Sequence, residues 1–223
     1  MLRAYNSPEQ MRPMPQEQPT DPVQYLCQVD PILGEMISRV GPLGLKPRRQ
    51  SPYAALIESV IHQQLSGKAA ATILRRFRAL FPGRAFPKPQ DVLLSPDEVL
   101  RSAGLSRAKT AAIKDICQKM LDGVVPTLAQ IQHLPDEEIV QRLITIRGVG
   151  RWTVEMLLIF RLGRFDVLPI HDLGIQKGFA RTYGRRKLPS PEALLKHGEK
   201  WRPYRTIAAW YLWRSLELPK QLN

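Results

Sequence analysis

Five times after residue 19 an Asp or Ser is followed directly by Pro: Asp21-Pro22, Asp30-Pro31, Ser51-Pro52, Ser95-Pro96 and Ser190-Pro191. The side-chain oxygen of such a residue accepts a hydrogen bond from the unpaired N–H groups at a helix start. Pro at the next position loses no hydrogen bond, because that N–H has no partner within the helix. The pairs therefore predict helix starts, and in Ser95-Pro96-Asp97-Glu98 the Glu three residues after Ser predicts a capping box. The apolar residues behind them keep a helical period. Tyr53, Leu56, Ile57, Val60 and Ile61 share one face with Gln64 on the same stripe. Ala108, Ala111, Ala112 and Ile116 run beside Ile113, Cys117, Met120 and Leu121, with Lys109 and Lys119 off the stripe. Further helices are predicted over 136–146, 151–162, 170–183, 191–201 and 203–216. Strand alternation never exceeds about four residues, so the expected fold is all-α with short linkers.

With 223 residues, 43% of them hydrophobic and 24% charged, the chain can bury one good-sized core or two small ones. That excludes wholesale disorder and a disulfide mini-protein. The apolar runs, such as Met156 to Phe160, fall far short of the roughly 18 residues that span a bilayer, so no membrane partner is expected. Met1 to Gln10 lacks the apolar stretch of a secretory signal, which predicts a cytoplasmic protein. Residues 1–19 carry four prolines and little periodicity and are expected to form a flexible leader. Cys27 and Cys117 suit neither a zinc site nor a disulfide framework and read as reduced, packed thiols. The net charge of +13 is uneven: residues 1–138 carry +3 and residues 139–223 carry +10. A basic half of this kind fits a polyanion, and a nucleic acid is the expected partner.

The stretch from Leu143 to Thr153, Leu-Ile-Thr-Ile-Arg-Gly-Val-Gly-Arg-Trp-Thr, is the most telling. Gly148 and Gly150 flank one apolar residue between two helical patterns, so the backbone can turn sharply and approach a ligand closely. The following helix would point free N–H groups at a phosphate. A hairpin of this kind grips a nucleic-acid backbone without reading bases, although a plain turn between helices with a glycine cap has the same local sequence.

Five segments together carry a resemblance: Ile61-His62-Gln63-Gln64-Leu65-Ser66, Ala103-Gly104-Leu105-Ser106 with Lys109, the hairpin, Asp166 to Gly174, and Trp201-x-Pro203-Tyr204-Arg205 continuing to Trp213. In order and spacing they resemble the helix-hairpin-helix (HhH-GPD) superfamily of DNA glycosylases, DNA-3-methyladenine glycosylase II type, over roughly residues 50–216. The resemblance implies two helical lobes with a DNA-binding cleft between them, in a minimal form without the N-terminal β domain of larger members. One lobe would combine 20–51 with 165–223 and carry the catalytic Asp, and a central bundle over 52–164 would contain the hairpin, 143–153. The implied activity is monofunctional excision of alkylated purines, 3-methyladenine and 7-methylguanine first, from double-stranded DNA by a monomer, leaving an abasic site. No redox or nucleotide cofactor is expected. The alternatives are a non-catalytic DNA-binding hairpin module, a glycosylase/lyase for oxidised bases, and a helix-turn-helix regulator.

Residue by residue, the resemblance makes Asp172 the catalytic carboxylate, which would stabilise positive charge growing on the sugar, and leaves Asp166 structural. Trp152 stands where related lyases carry a Schiff-base Lys, and an indole cannot form that intermediate. Trp152 and Trp213 match pocket-lining tryptophans that stack on an extruded cationic base, although Trp213 could equally pack in the core. Trp201, Tyr204 and Trp210 are expected in the core. Met156 and Leu173 stand where the family has aromatic walls. Gln64, with Leu65 beside it, aligns with the side chain that fills the gap left by the flipped base, or else Gln64 only bonds a neighbouring carbonyl. His62 reads as a packed imidazole, and His171 as a DNA contact or a cap. Phosphate contacts are expected from Arg147, Gly148, Gly150, Arg151 and Lys177, with Val149 turned inward. The carbonyls of Ile144, Ile146 and Val149 would hold a structural monovalent cation, sodium or potassium.

Overall fold

Asp21, Asp30 and Ser190 each open a helix as expected. The Asp21 carboxylate accepts from the Val23 N–H at 2.8 Å, that of Asp30 from Leu33 at 3.2 Å, and the Ser190 hydroxyl from Ala193 at 3.2 Å. The computed structural model describes residues 21–219, so the leader expected over 1–19 lies outside the described residues. Among the described residues the elements are all helical: α1 (Pro22–Val29), α2 (Pro31–Val40), α3 (Pro52–His62), α4 (Gly67–Ala79), α5 (Pro89–Leu94), α6 (Asp97–Ser102), α7 (Arg107–Leu121), α8 (Leu128–Ile131), α9 (Asp136–Leu143), α10 (Arg151–Leu157), α11 (Leu173–Thr182), α12 (Pro191–Gly198) and α13 (Arg205–Ser215). None is long and apolar enough to cross a membrane.

Four local expectations need correction. The capping box at Ser95 does not form: the Ser95 hydroxyl donates to the Asp91 carbonyl at 2.8 Å, closing α5, and α6 starts one residue late with Pro96 in the cap position. The helix expected over 151–162 changes register. After Leu157 it widens into a π turn over Leu158–Leu162, which Gly163 ends at φ +69°. The helix expected from residue 170 begins only at Leu173, because the Asp172 N–H closes a turn onto the Pro169 carbonyl and the Asp172 side chain becomes the cap. Finally, α3 ends at His62, so Gln64 lies beyond the helical stripe, and the His62 ring is exposed rather than packed, held to the Glu58 carbonyl at 2.8 Å.

The buried side chains fall into two clusters. One is drawn from Tyr53 to Val167 and built largely by α3, α7, α9 and α10. The other joins Leu26, Leu33 and Ile37 from the start of the described chain to Leu168 through Leu212 from its end. Trp201 and Tyr211 are fully buried in the second, Tyr204 nearly so, and Trp210 packs at its edge, which is the core placement expected for the three aromatics at 201, 204 and 210. Cys117 is buried in the first cluster and Cys27 half-buried against the second, both as free thiols. Trp213 alone among the tryptophans packs against both clusters. The chain crosses from one cluster to the other between Val167 and Leu168, four residues before Asp172. This crossing sets Asp172 at the seam, opposite the start of α10.

Candidate active site

Gly148 adopts φ +76°, a left-handed turn that glycine makes without steric cost, and an ideal Cβ there would meet Ala112 of α7 at 3.3 Å. The turn buries Ile146 and Val149 as inward anchors and reverses the chain between α9 and α10. Gly150 then takes an extended conformation as the N-cap of α10, without a side-chain cap, and Trp152 follows in the first turn. Trp152 is 48% exposed. The next three residues of α10, Thr153, Val154 and Glu155, are buried.

The indole of Trp152 reaches across the seam and donates from Nε1 to Asp172 Oδ2 at 2.7 Å. The other oxygen, Oδ1, accepts from Trp213 Nε1 at 2.9 Å and from the Ile175 N–H at 2.8 Å. Three neutral N–H donors from α10, α11 and α13 therefore fix a half-buried carboxylate, and among the described residues Asp172 has no ion-pair partner. An acceptor with its lone pairs so directed cannot swing away, while no cation among the described residues pairs with its negative charge. Gly174 makes the approach possible: a Cβ there would lie 2.9 Å from Asp172 Oδ1 and 3.1 Å from Trp213 Nε1. By contrast, Asp166 is tied to Arg202 and Arg205 at 2.6 and 2.7 Å, an ion-paired structural carboxylate.

Beside the exposed Trp152 lies a cavity of about 390 Å³ lined by Ser59, His62, Gln63, Gln64, Trp152, Thr153 and Met156. Its size suits a small flat ligand. Trp213, expected to line a pocket, does not line this one. It is stacked on Phe160 at 5.8 Å and contributes its N–H to Asp172 instead. A larger cavity of about 640 Å³ lies on the other flank of α10 and contains neither Asp172 nor Trp152; its four arginines are ion-paired to Glu137, Asp136, Asp166 and Glu199. His171 faces that side.

Facing the 390 Å³ cavity beside Trp152 is the tip that follows α3. Gln64 is exposed with φ +58°, the one non-glycine residue with positive φ among the described residues, and Leu65 is exposed beside it. Of the expected phosphate contacts, Arg147 and Lys177 have exposed side chains. The Arg147 backbone N–H is already given to Asp115 Oδ2 at 2.7 Å. Arg151 grips Glu137 through two nitrogens at 2.6 and 3.1 Å, which raises the guanidinium pKa and lowers that of Glu137. Sequence reasoning missed the two indole bonds to Asp172 and the part played by Gln63, whose amide donates to the Gly148 carbonyl at 2.9 Å. The signal for Gln63 was its place next to the presumed wedge.

The chain matches the HhH-GPD superfamily of base excision DNA repair proteins over residues 57–203. It is 41% identical over 170 residues to DNA-3-methyladenine glycosylase 1 of Schizosaccharomyces pombe, covering 76% of this chain and 75% of that protein. A second relative from that yeast, an alkylbase DNA glycosidase-like protein, is 32% identical over 200 residues, covering 89% and 94%. Among solved structures, the S. pombe 3-methyladenine DNA glycosylase in complex with abasic DNA superposes with a TM-score of 0.78 at 37% identity, covering 88% of this chain and 97% of that one. The DNA-3-methyladenine glycosidase of Bacillus halodurans superposes at 0.80 with 34% identity, covering 88% and 89%. A match across most of the chain, around a hairpin and a held carboxylate at the seam of two helical clusters, places it: the chain belongs to the HhH-GPD superfamily of base excision DNA repair proteins.

Proposed function

We propose that this protein is a monofunctional DNA glycosylase that flips alkylated purines, 3-methyladenine and 7-methylguanine foremost, out of double-stranded DNA and hydrolyses their N-glycosidic bond, leaving an abasic site. The observation that carries the reading is Asp172, oriented by three neutral donors, without an ion pair among the described residues, and bonded to the indole of Trp152, whose exposed ring lines the cavity. A cationic alkylpurine is already a good leaving group. The enzyme's task is to stabilise the positive charge that grows on the sugar as the bond breaks, which a fixed carboxylate near C1′ does, and to orient the attacking water. The face of Trp152 offers the extruded base a cation–π surface, and an indole at this position supplies no amine for a Schiff base.

In this reading the protein acts as a monomer where the cell keeps its DNA. The Gly148 and Gly150 N–H groups with Arg147, Arg151 and Lys177 hold the phosphates, with Arg151 trading Glu137 for a phosphate on binding. Gln64 and Leu65 fill the vacated stack. The hairpin carbonyls of Ile144, Ile146 and Val149 are neutral oxygen donors of the kind that suits a sodium or potassium ion; that of Ile146 already accepts the Val149 N–H at 3.1 Å and keeps a second lone pair. Such an ion would help tie the hairpin to a phosphate. The test is chromatography of bases freed from DNA carrying labelled methyl groups. Release of methylated purines, with the abasic strand left uncut and no adduct trapped by borohydride, is expected. A trapped adduct, or DNA binding with no base released, overturns the reading.

A further inference from the structure

We propose that α7 couples the intercalating tip to the DNA-gripping hairpin, with Lys109 as the positioning residue that shapes the tip and Gln63 as the latch between the two. This rests on the glycosylase reading above and adds to it the element that transmits grip into base flipping.

Helix α3 ends at His62, so the carbonyls of its last turn have no helical N–H to accept. Lys109 Nζ enters that end from α7 and donates to the Ile61 carbonyl at 2.7 Å and the Gln63 carbonyl at 2.8 Å. The half-buried ammonium, whose pKa burial lowers, thus fixes the chain immediately before Gln64. Gln64 needs fixing. A side-chain-bearing residue at φ +58° is strained by its own Cβ, and such a conformation persists only where neighbouring contacts impose it. The Leu65 N–H closes the turn onto the His62 carbonyl at 3.2 Å.

The same helix holds the hairpin. Ala112, three residues after Lys109, lies against Gly148, and Asp115, three further on, accepts the Arg147 N–H at 2.7 Å. Lys109, Ala112 and Asp115 therefore form one stripe along α7 that touches the tip at one end and the turn at the other. Gln63 closes the loop directly, its amide donating to the Gly148 carbonyl at 2.9 Å. The arrangement is a rigid triangle of tip, α7 and hairpin. A wedge does work on a base stack only if it stands at a fixed offset from the phosphates being held; otherwise the tip recoils and the base stays stacked. A plain helix cap at Lys109 would need neither the Gln63 latch nor the Asp115 contact.

The test uses the full chain with Lys109→Met and Gln63→Leu, measuring affinity for undamaged duplex, excision of a methylated purine in a matched pair and in a mismatch, and fluorescence of 2-aminopurine opposite an abasic site as the readout of tip insertion. Lys109→Met is expected to lose about tenfold in excision from the matched pair, with a smaller loss at the mismatch, where unstacking costs less. Affinity for undamaged duplex should stay within about twofold, since the phosphate contacts are untouched. The 2-aminopurine signal should fall. Gln63→Leu, which leaves the fold of α3 intact, should show the same pattern at reduced size. Wild-type excision and fluorescence in both variants overturns the coupling, and so does an equal loss on matched and mismatched targets. If the wild-type chain frees no methylated base, the glycosylase reading fails, and the fluorescence still decides the coupling.

Discussion

Asp30 and Asp172 do the same local job and end in opposite chemical states. Each caps the helix that follows it, and each accepts an indole N–H from far along the chain: Trp201 donates to Asp30 at 2.8 Å, and Trp152 and Trp213 donate to Asp172. Asp30 is 1% exposed, and Lys200 lies 2.9 Å away, with His197 and Tyr183 completing the cage. Burial would push its pKa up, but the hydrogen bonds from His197, Tyr183, Lys200 and Trp201 outweigh burial and hold it well below the usual carboxylate range. Its charge is spent inside the protein, joining α2 to α11 and α12. Among the described residues Asp172 receives only neutral donors, and it sits half-buried at the seam, so its charge is still available to an approaching cation. The difference between a structural staple and a reactive carboxylate lies in the partners: a cation neutralises, and an N–H only orients.

Exchanging each Asp for Asn is the largest test of that contrast. Asp172→Asn is expected to lower excision by on the order of a thousandfold while leaving duplex affinity unchanged or raised, because the variant loses the charge that stabilises the sugar cation and also repels phosphate. Single-turnover release from methylated DNA and a binding titration check it. Asp30→Asn should do the reverse. It leaves the Trp201 and Tyr183 donors facing an uncharged amide in the cage and should cost about 2 kcal/mol of stability by urea unfolding, with excision per folded molecule unchanged. Loss of activity in folded Asp30→Asn, or full activity in Asp172→Asn, would erase the distinction.

The indole donors sharpen it further. Trp152→Phe keeps an aromatic face and removes one N–H from Asp172 Oδ2; Trp213→Phe does the same at Oδ1. Each is expected to lower the chemical step by about tenfold through lost orientation of the carboxylate, and to cost about 1.5 kcal/mol of stability, because a hydrogen bond to a charged acceptor is worth more than a neutral one. If only Trp152→Phe weakens activity, Trp213 serves the junction of the two cores and not the carboxylate. Measuring kcat and duplex affinity separately distinguishes these outcomes.

What the chain alone discloses follows from sequence distance. Caps and turns are settled within four or five residues, so Asp21, Asp30 and Ser190 mark true helix starts and the Gly148 turn is legible. Ser95 misleads because a hydroxyl can serve the helix before it as well as the one after, and here the Asp91 carbonyl wins. His62 was expected inside, yet it sits on the last turn of α3 where the ring bonds its own helix and stays exposed. Asp172 is found from the motif around it, but its two indole donors come from 20 residues before and 41 after, and no local rule pairs them. Asp30 is more opaque still: its partners lie more than 150 residues away, on helices whose docking depends on the whole second core.

A third carboxyl breaks the symmetry of the first two. Glu155, on the buried side of α10, is 7% exposed, and among the described residues no hydrogen bond or ion pair reaches its carboxyl group. Burial raises its pKa to about 7, with Arg151 pulling it back down and the charges of Asp172 and Glu137 adding to the rise. Asp30 and Glu155 are therefore both buried yet shifted in opposite directions, which isolates the role of partners from that of burial. The two make opposite pH signatures. With its folded pKa depressed, Asp30 contributes stability that is present above the ordinary carboxylate pKa of 3.8 and lost on further acidification. Glu155, with its folded pKa raised, favours the native state fully below 4.5 and progressively less as pH climbs toward about 7, where the folded protein too must ionise it. Glu155→Gln, which is neutral at every pH, should flatten the decline between pH 4.5 and 7 by about 2 kcal/mol and leave the acid limb unchanged. Urea unfolding of wild type and variant at several pH values checks this; parallel curves would mean that the carboxyl finds partners or water in solution, and burial alone would no longer account for its shift.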